Sequence, residues 1–288
     1  MNTRKAFTLI ELLVVISLIA MLLSLLMPTL RQVRRHAKAV ACQAKVRQWG
    51  LGFRMYTDAN GGRWFNDPQG DYAKKSTWDY RTDTLNFTSS YTNWAGLASP
   101  FSDGTPNFAA CPLATKGPGE DGYFDAFTAW CAKEWIAPFV TPSGQPIFGP
   151  VSYGISPYAS WAPPPDFRSS GLTPRDFVWG TCDVRGAARV PIFFDTIYDW
   201  TAVDACVGPP AFDAGPFRET VGIWPMCINR HDGGINVLFM DWSARKVGLK
   251  ELWTLKWHRQ FNTPGAWTIR GGVEAQDWPQ WMRRFKDY

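Results

Sequence analysis

Arg4-Lys5-Ala6-Phe7-Thr8-Leu9-Ile10-Glu11-Leu12-Leu13-Val14-Val15-Ile16 leads into a run of 21 residues, Phe7 to Met27, in which Glu11 is the only charged side chain. Roughly 20 apolar residues at about 1.5 Å each cover the ~30 Å hydrocarbon core of a bilayer, so the run predicts a transmembrane helix. A carboxylate close to hydrocarbon costs on the order of 2–3 kcal/mol, so its presence needs a reason. The nearest cations, Arg4 and Lys5, stand on the polar side of the boundary. A cut between Ala6 and Phe7 would create an α-ammonium about one helical turn from Glu11, able to neutralise it within the chain or in a neighbouring copy.

A secretory signal peptide has an apolar core of about 7–15 residues followed by a small-x-small cleavage site. This run is longer and ends in Leu25-Leu26-Met27-Pro28. An uncleaved signal anchor stays open as the alternative. In either case Arg4 and Lys5 hold the short end in the cytoplasm. The expectation is a single pass through the inner (cytoplasmic) membrane with the bulk of the chain periplasmic or extracellular.

Pro28 removes a backbone donor and predicts a kink, after which the helical pattern resumes. Leu30, Val33, Ala37, Val40 and Ala44 recur at three and four residues, and Cys42, Val46, Trp49, Phe53 and Tyr56 follow at the same spacing. The second set predicts a buried stripe. Opposite it stand Arg31, Arg34, Arg35, Lys38, Lys45, Arg47 and Arg54, a solvated face. Thr57-Asp58-Ala59-Asn60-Gly61-Gly62 predicts the stop, because Asn and Gly tolerate positive φ. The whole helix would be about fifty residues and roughly 75 Å long.

The whole chain is 45% apolar with only 19% charge, and the part beyond the helix carries most of the 16 Trp, 22 Pro and 25 Gly, which describes an aromatic, loop-rich globule and excludes a disordered tail. A net charge of +5 without a recognisable nucleic-acid module predicts no specific nucleic-acid partner. Six cysteines, at 42, 111, 131, 182, 206 and 227, fit an oxidising compartment. With no CxxC, disulfides are the better reading and metal thiolates the poorer one, and fifteen pairings are open. Residues 124–135 predict a helix, residues 149–155, 188–195 and 235–240 predict strands, a turn at Asp241-Trp242-Ser243-Ala244 returns the chain through Arg245-Lys246-Val247, and 249–258 predict a short helix.

The basic leader, the small Ala6 and Phe7-Thr8-Leu9-Ile10-Glu11 before an apolar stretch resemble the signature of type IV prepilins and type II secretion pseudopilins. The segment from Arg47 to Gly62 is similar to the corresponding stretch of that family. The resemblance implies an α+β, pilin-like fold, in which a long N-terminal helix, half transmembrane and half amphipathic, packs on an antiparallel β-sheet with loop-rich insertions. It divides the chain into a leader (1–6), a transmembrane helix (7–28), its amphipathic continuation (29–57) and an extracytoplasmic globular domain (58–288). It further implies a prepilin peptidase that cuts after Ala6 and N-methylates Phe7, and assembly with other pilin-like subunits through Glu11. Where this chain has Ala6 the family usually has Gly, which implies slower processing. By the same resemblance Cys42 would pair with Cys111, tying helix to globule. Related pseudopilins hold calcium in a C-terminal loop, and Asp195, Asp199, Asp204 and Asp241 offer oxygen donors here, without EF-hand spacing.

Asn229-Arg230-His231-Asp232-Gly233-Gly234-Ile235-Asn236-Val237-Leu238-Phe239-Met240-Asp241 resembles the C-terminal motif of a prepilin-like subgroup abundant in planctomycetes, in which a His is followed at ten residues by Asp-Gly. Trp242 stands in place of that Gly, and the turn is expected to differ because a bulky residue avoids positive φ. His231, Asp232 and Asp241 could serve a metal or acid-base chemistry. The preferred reading is structural, with His231 capping the loop and Asp241 starting a turn. No hydrolase elbow, zinc-protease helix or phosphate loop is present, so no enzyme is expected. Two functions follow: a structural subunit of a type II secretion or type IV pilus-like filament, or a surface-displayed carbohydrate- or envelope-binding module using Trp253, Trp257, Trp267, Trp278 and Trp281.

Overall fold

One helix and one antiparallel sheet organise the chain in a computed structural model that describes residues 9–64, 109–117, 123–129, 139–140, 146–147, 151–156, 158–159, 177–197, 203–216 and 222–288. The helix is α1 (Leu9–Ala59). The strands are β1 (Tyr123–Asp125), β2 (Phe139–Val140), β3 (Pro146–Ile147), β4 (Tyr153–Ile155), β5 (Pro191–Asp195), β6 (Ala214–Pro216), β7 (Gly234–Phe239) and β8 (Ala244–Gly248). The main sheet runs β4-β5-β7-β8, antiparallel throughout, and β1 pairs with β6 and β2 with β3 in two short ladders. The fold is α+β, a long apolar helix packed on an antiparallel sheet.

The two halves of α1 meet different surroundings. From Leu9 to Met27 the large apolar side chains are 46–80% exposed, and the stretch is long and apolar enough to cross a membrane. Its hydroxyls find partners inside the helix: Ser17, Ser24 and Thr29 donate to the carbonyls of Val14, Met21 and Leu26 at 2.7–2.8 Å. Such back-bonding is how a polar group is tolerated where no water can reach it. The second half buries the predicted stripe, with Cys42, Val46, Trp49 and Phe53 at 0–2% exposure and Tyr56 half-buried. Each buried aromatic of this stripe stabilises the packing by on the order of 2 kcal/mol. Leu30, Val33 and Val40 stay exposed, and the seam with the sheet begins at Ala39, whose carbonyl accepts from Asn236 Nδ2 at 3.3 Å, with the buried stripe starting at Cys42. Of the basic face, Lys45 turns inward and donates to the Ala110 carbonyl at 3.0 Å.

Every residue of β5 and β7 is buried, because the sheet is covered on both faces. On one face Trp49 and Phe53 of α1 pack against Phe193 with ring centroids 5.2 and 5.5 Å apart, beside Leu238. On the other, Phe194, Val237 and Phe239 meet Trp253, Trp257 and Trp278 of the C-terminal segment. Successive strand residues point to opposite faces, so double coverage makes 235–240 read as one apolar run with little alternation. The helix comes close: a Cβ on Gly50 would sit 2.6 Å from Leu238 Cδ1.

Four expectations change. The predicted helix at 124–135 begins instead as β1 and a turn, in which Asp125 Oδ1 accepts from the Phe127 N–H at 2.8 Å and the Thr128 hydroxyl at 3.0 Å. A side chain that satisfies the local backbone outcompetes helix there. The strand expected from 188 starts at Pro191, after a 3-10 turn at Ala187–Arg189. The helix expected at 249–258 is a 3-10 segment, Lys250–Thr254. Trp242 does adopt positive φ, at 69°. Asp241 Oδ1 holds the turn by accepting from the Ser243 N–H at 3.0 Å and its hydroxyl at 2.6 Å, and the Trp242 ring packs 5.7 Å from Trp64. That packing offsets a left-handed cost of roughly 1–2 kcal/mol.

Candidate functional site

Among the described residues, two features carry chemistry. The first is the exposed apolar half of α1. Glu11 stands in its first described turn, flanked by Ile10, Leu12 and Leu13 at 54–75% exposure. Ala6 and Phe7 lie outside the described residues.

The second is a buried polar cluster where α1 meets the sheet. Asp195 ends β5 and is completely buried. A buried carboxylate requires partners, and this one has four, three of them nitrogen groups and the fourth the Cys42 thiol. The Arg230 guanidinium donates from Nη1 to Oδ1 at 3.2 Å, the Asn236 N–H donates to Oδ2 at 2.9 Å, and His231 Nε2 lies 2.9 Å from Oδ2. Arg230 also donates to the carbonyls of Ala126, Thr128, Ser152 and Thr196 at 2.7–3.2 Å, stitching three segments together. Cys42 Sγ, brought in by the helix stripe, lies 3.6 Å from each Asp195 oxygen and 3.3 Å from Tyr153 Oη. Cys111 Sγ lies 3.5 Å from His231 Nε2 and accepts from the Leu113 N–H at 3.4 Å. Both thiols are free, as are those of Cys182, Cys206 and Cys227. The ligand-type atoms of Cys42, Cys111, Asp195 and His231 all lie within 4.8 Å of one another.

Burial alone would neutralise Asp195, but the charges of His231 and Arg230 hold its carboxyl below the ordinary range. Burial pushes His231 down, and Asp195 outweighs it, raising the imidazole to about 9. Burial pushes the Cys42 thiol up, reinforced by Cys111 and Asp195. Burial also acts to raise Cys111, but the hydrogen bond from Cys42 together with His231 and Arg230 prevails and brings it to about 6. The two thiols titrate as a coupled pair, in which burial favours the proton on Cys42 and the hydrogen bond from Cys42 favours the thiolate on Cys111.

The side chain of His231 therefore does not cap its loop, as the sequence suggested. Its backbone N–H bonds the Gly234 carbonyl at 3.0 Å while its ring joins Asp195. Asp232 and Asp241 are exposed. Of the four calcium candidates, Asp199 lies outside the described residues, Asp195 is ion-paired inside, Asp204 accepts from the Cys206 N–H at 2.8 Å and Asp241 holds the hairpin turn. Asp195, Asp204 and Asp241 do not come together. Trp253, Trp257 and Trp278 are 0–1% exposed and cannot offer a face to a sugar, while Trp267 and Trp281 are half-buried against the same cluster. Sequence reasoning overlooked Arg230 and took Asp195 only for a calcium donor. A charge ending the apolar strand Pro191-Ile192-Phe193-Phe194 was the signal that could have marked it.

Comparison with known families matches residues 1–27 to the prokaryotic N-terminal methylation motif, so the chain opens with a prepilin-type segment. The match does not reach the segment 229–241. No curated protein and no solved structure matches the chain.

Proposed function

We propose that this chain, with its prepilin-type N-terminus, is a structural subunit, a pseudopilin or minor pilin, of a type II secretion or type IV pilus-like filament. The observation that carries the proposal is the coincidence of the methylation motif with the exposed apolar half of α1. Such a surface is covered by lipid before assembly and by neighbouring helices after it, where van der Waals packing and paired polar groups hold helices together. A prepilin peptidase cuts after Ala6, slowly because Ala replaces Gly, and methylates the new amine of Phe7. Glu11 then pairs with the amine of an adjacent subunit, which removes the cost of leaving a carboxylate at the edge of hydrocarbon. The globular domain stands outside the membrane, and the work of the chain is polymerisation without substrate turnover.

The test is the N-terminus of the mature chain and the fate of a Glu11→Ala variant. A methylated Phe7 at the N-terminus is expected, together with normal membrane insertion of Glu11→Ala and loss of its incorporation into filaments. Incorporation equal to wild type sinks the assembly role, and an intact Met1 favours a signal anchor. A carbohydrate-binding module exported by the same leader has less support, because three of the five tryptophans it would use are buried.

A further inference from the structure

We propose that Cys42, Cys111, Asp195 and His231 form a structural zinc site that clamps the N-terminal helix to the globular domain. The four ligands come from four segments: Cys42 from α1, Cys111 from the 109–117 loop, Asp195 from the end of β5 and His231 from the approach to β7. With Zn–S at about 2.3 Å and Zn–N or Zn–O at about 2.0 Å, a tetrahedron places sulfur about 3.5 Å from nitrogen or oxygen. The cluster has Cys111 Sγ 3.5 Å from His231 Nε2 and Cys42 Sγ 3.6 Å from the Asp195 oxygens. The His231 Nε2 to Asp195 Oδ2 separation, 2.9 Å, needs to open only to about 3.3 Å around the ion. Two sulfurs, one imidazole and one carboxylate in this arrangement select zinc over calcium or magnesium, which take oxygen donors in larger number.

The surroundings fit a ligand set. The Leu113 N–H donates to Cys111 Sγ, Tyr153 Oη lies within reach of Cys42 Sγ, and Asn236 and Arg230 hold the carboxylate. Partners of this kind orient and tune metal ligands. Three anionic ligands leave one negative charge after a divalent ion, and the Arg230 guanidinium at 3.2 Å from Asp195 offsets it. His231 Nδ1 is buried and has no hydrogen-bond partner among the described residues. Ligation through Nε2 leaves the Nδ1–H facing the interior, so the ring is oriented by its packing and by Asp195 and not by a hydrogen bond from Nδ1. Four protein ligands fill the coordination sphere, so the role is structural. A disulfide between Cys42 and Cys111, which the prepilin resemblance implies, would consume both sulfurs, and the two states exclude each other.

The experiment uses the full chain, purified in detergent with thiols kept reduced, stripped of metal and titrated with zinc or cobalt. The expected results are one zinc per chain, a cobalt spectrum of tetrahedral type with thiolate charge-transfer bands, and X-ray absorption of the zinc form showing two sulfur and two lighter neighbours. Cys42→Ser and Cys111→Ser should each weaken zinc about 100-fold or more, beyond the 10–100-fold typical of outer-shell changes, while Cys206→Ser, at an exposed thiol, binds normally. The wild-type spectra keep the outcome readable if a variant fails to fold. Failure of the reduced chain to bind zinc, an oxygen-only coordination shell, or a Cys42–Cys111 disulfide in chains whose free thiols were alkylated at cell lysis would each overturn the proposal.

Discussion

Replacing Arg230 by Met should remove most of the stability of the globular domain. The guanidinium is 2% exposed and donates five hydrogen bonds, to the carbonyls of Ala126, Thr128, Ser152 and Thr196 and to Asp195. Removing one partner of a buried ion pair costs about 3–5 kcal/mol, and the lower figure applies here because Asp195 keeps His231 and the Asn236 N–H. Each buried carbonyl that loses its donor adds about 1–3 kcal/mol. Counting the pair and only two of the four carbonyls gives at least about 5 kcal/mol, against a typical domain stability of about 5–15 kcal/mol. Arg230→Lys should lose less because the ammonium keeps a positive charge for Asp195, yet it still loses stability, since three donors on one atom cannot reach five acceptors spread around a planar fork. The assay is thermal and denaturant unfolding of the full chain in detergent, followed by tryptophan fluorescence, in reducing, metal-free buffer so that the result is independent of any ion. A Met variant within about 1 kcal/mol of wild type would refute the reasoning, since no arrangement of orphaned groups in that interior is so cheap.

His258 is enclosed by the rings of Tyr158, Phe177 and Phe261 at 4.8–5.4 Å, and burial pushes it down to about 4. The folded state thus favours the neutral ring. Stability is full above pH ~6.5 and falls by on the order of 3 kcal/mol as the pH drops to about 4, because the unfolded chain takes up the proton first. Comparing wild type with His258→Gln across that window checks it, and parallel curves would refute it. At Trp242, where φ is 69°, Trp242→Ala keeps the left-handed backbone and loses the Trp64 contact, so Trp242→Gly should be more stable than Trp242→Ala by about 1 kcal/mol in unfolding experiments. A Cβ on Gly234 would lie 2.3 Å from the Val247 carbonyl oxygen. Gly234→Ala must therefore spread the β7–β8 ladder and should cost about 2 kcal/mol or more, read as a lowered melting temperature.

The parts of the fold legible in the residues are those written at short range. The apolar run with Glu11, the Cys42-Val46-Trp49-Phe53 stripe and the strand at 235–240 each declare themselves within one helical face or one strand. Where local chemistry misled, a side chain had altered the local balance. Asp125 turned an apolar helical spacing into a strand and turn, and Trp64 made a positive φ affordable at Trp242. The aromatic C-terminus advertised its tryptophans without saying which way they faced. That depended on β5 and β7 needing cover on their second face.

An apolar helix long enough to cross a membrane, with its one carboxylate, follows from about thirty consecutive residues, because bilayer thickness and helix rise are constants that a linear pattern can be matched against. The junction cluster does not. Cys42 and Asp195 stand 153 positions apart and Cys111 and His231 stand 120 apart, with no motif linking them. Their meeting is set by the helix lying across the sheet at Gly50 and Leu238, and by Arg230 drawing three segments around one buried carboxylate. Spacing that argues against a metal in the linear chain loses its force once packing, and not sequence neighbourhood, determines which donors share a point in space.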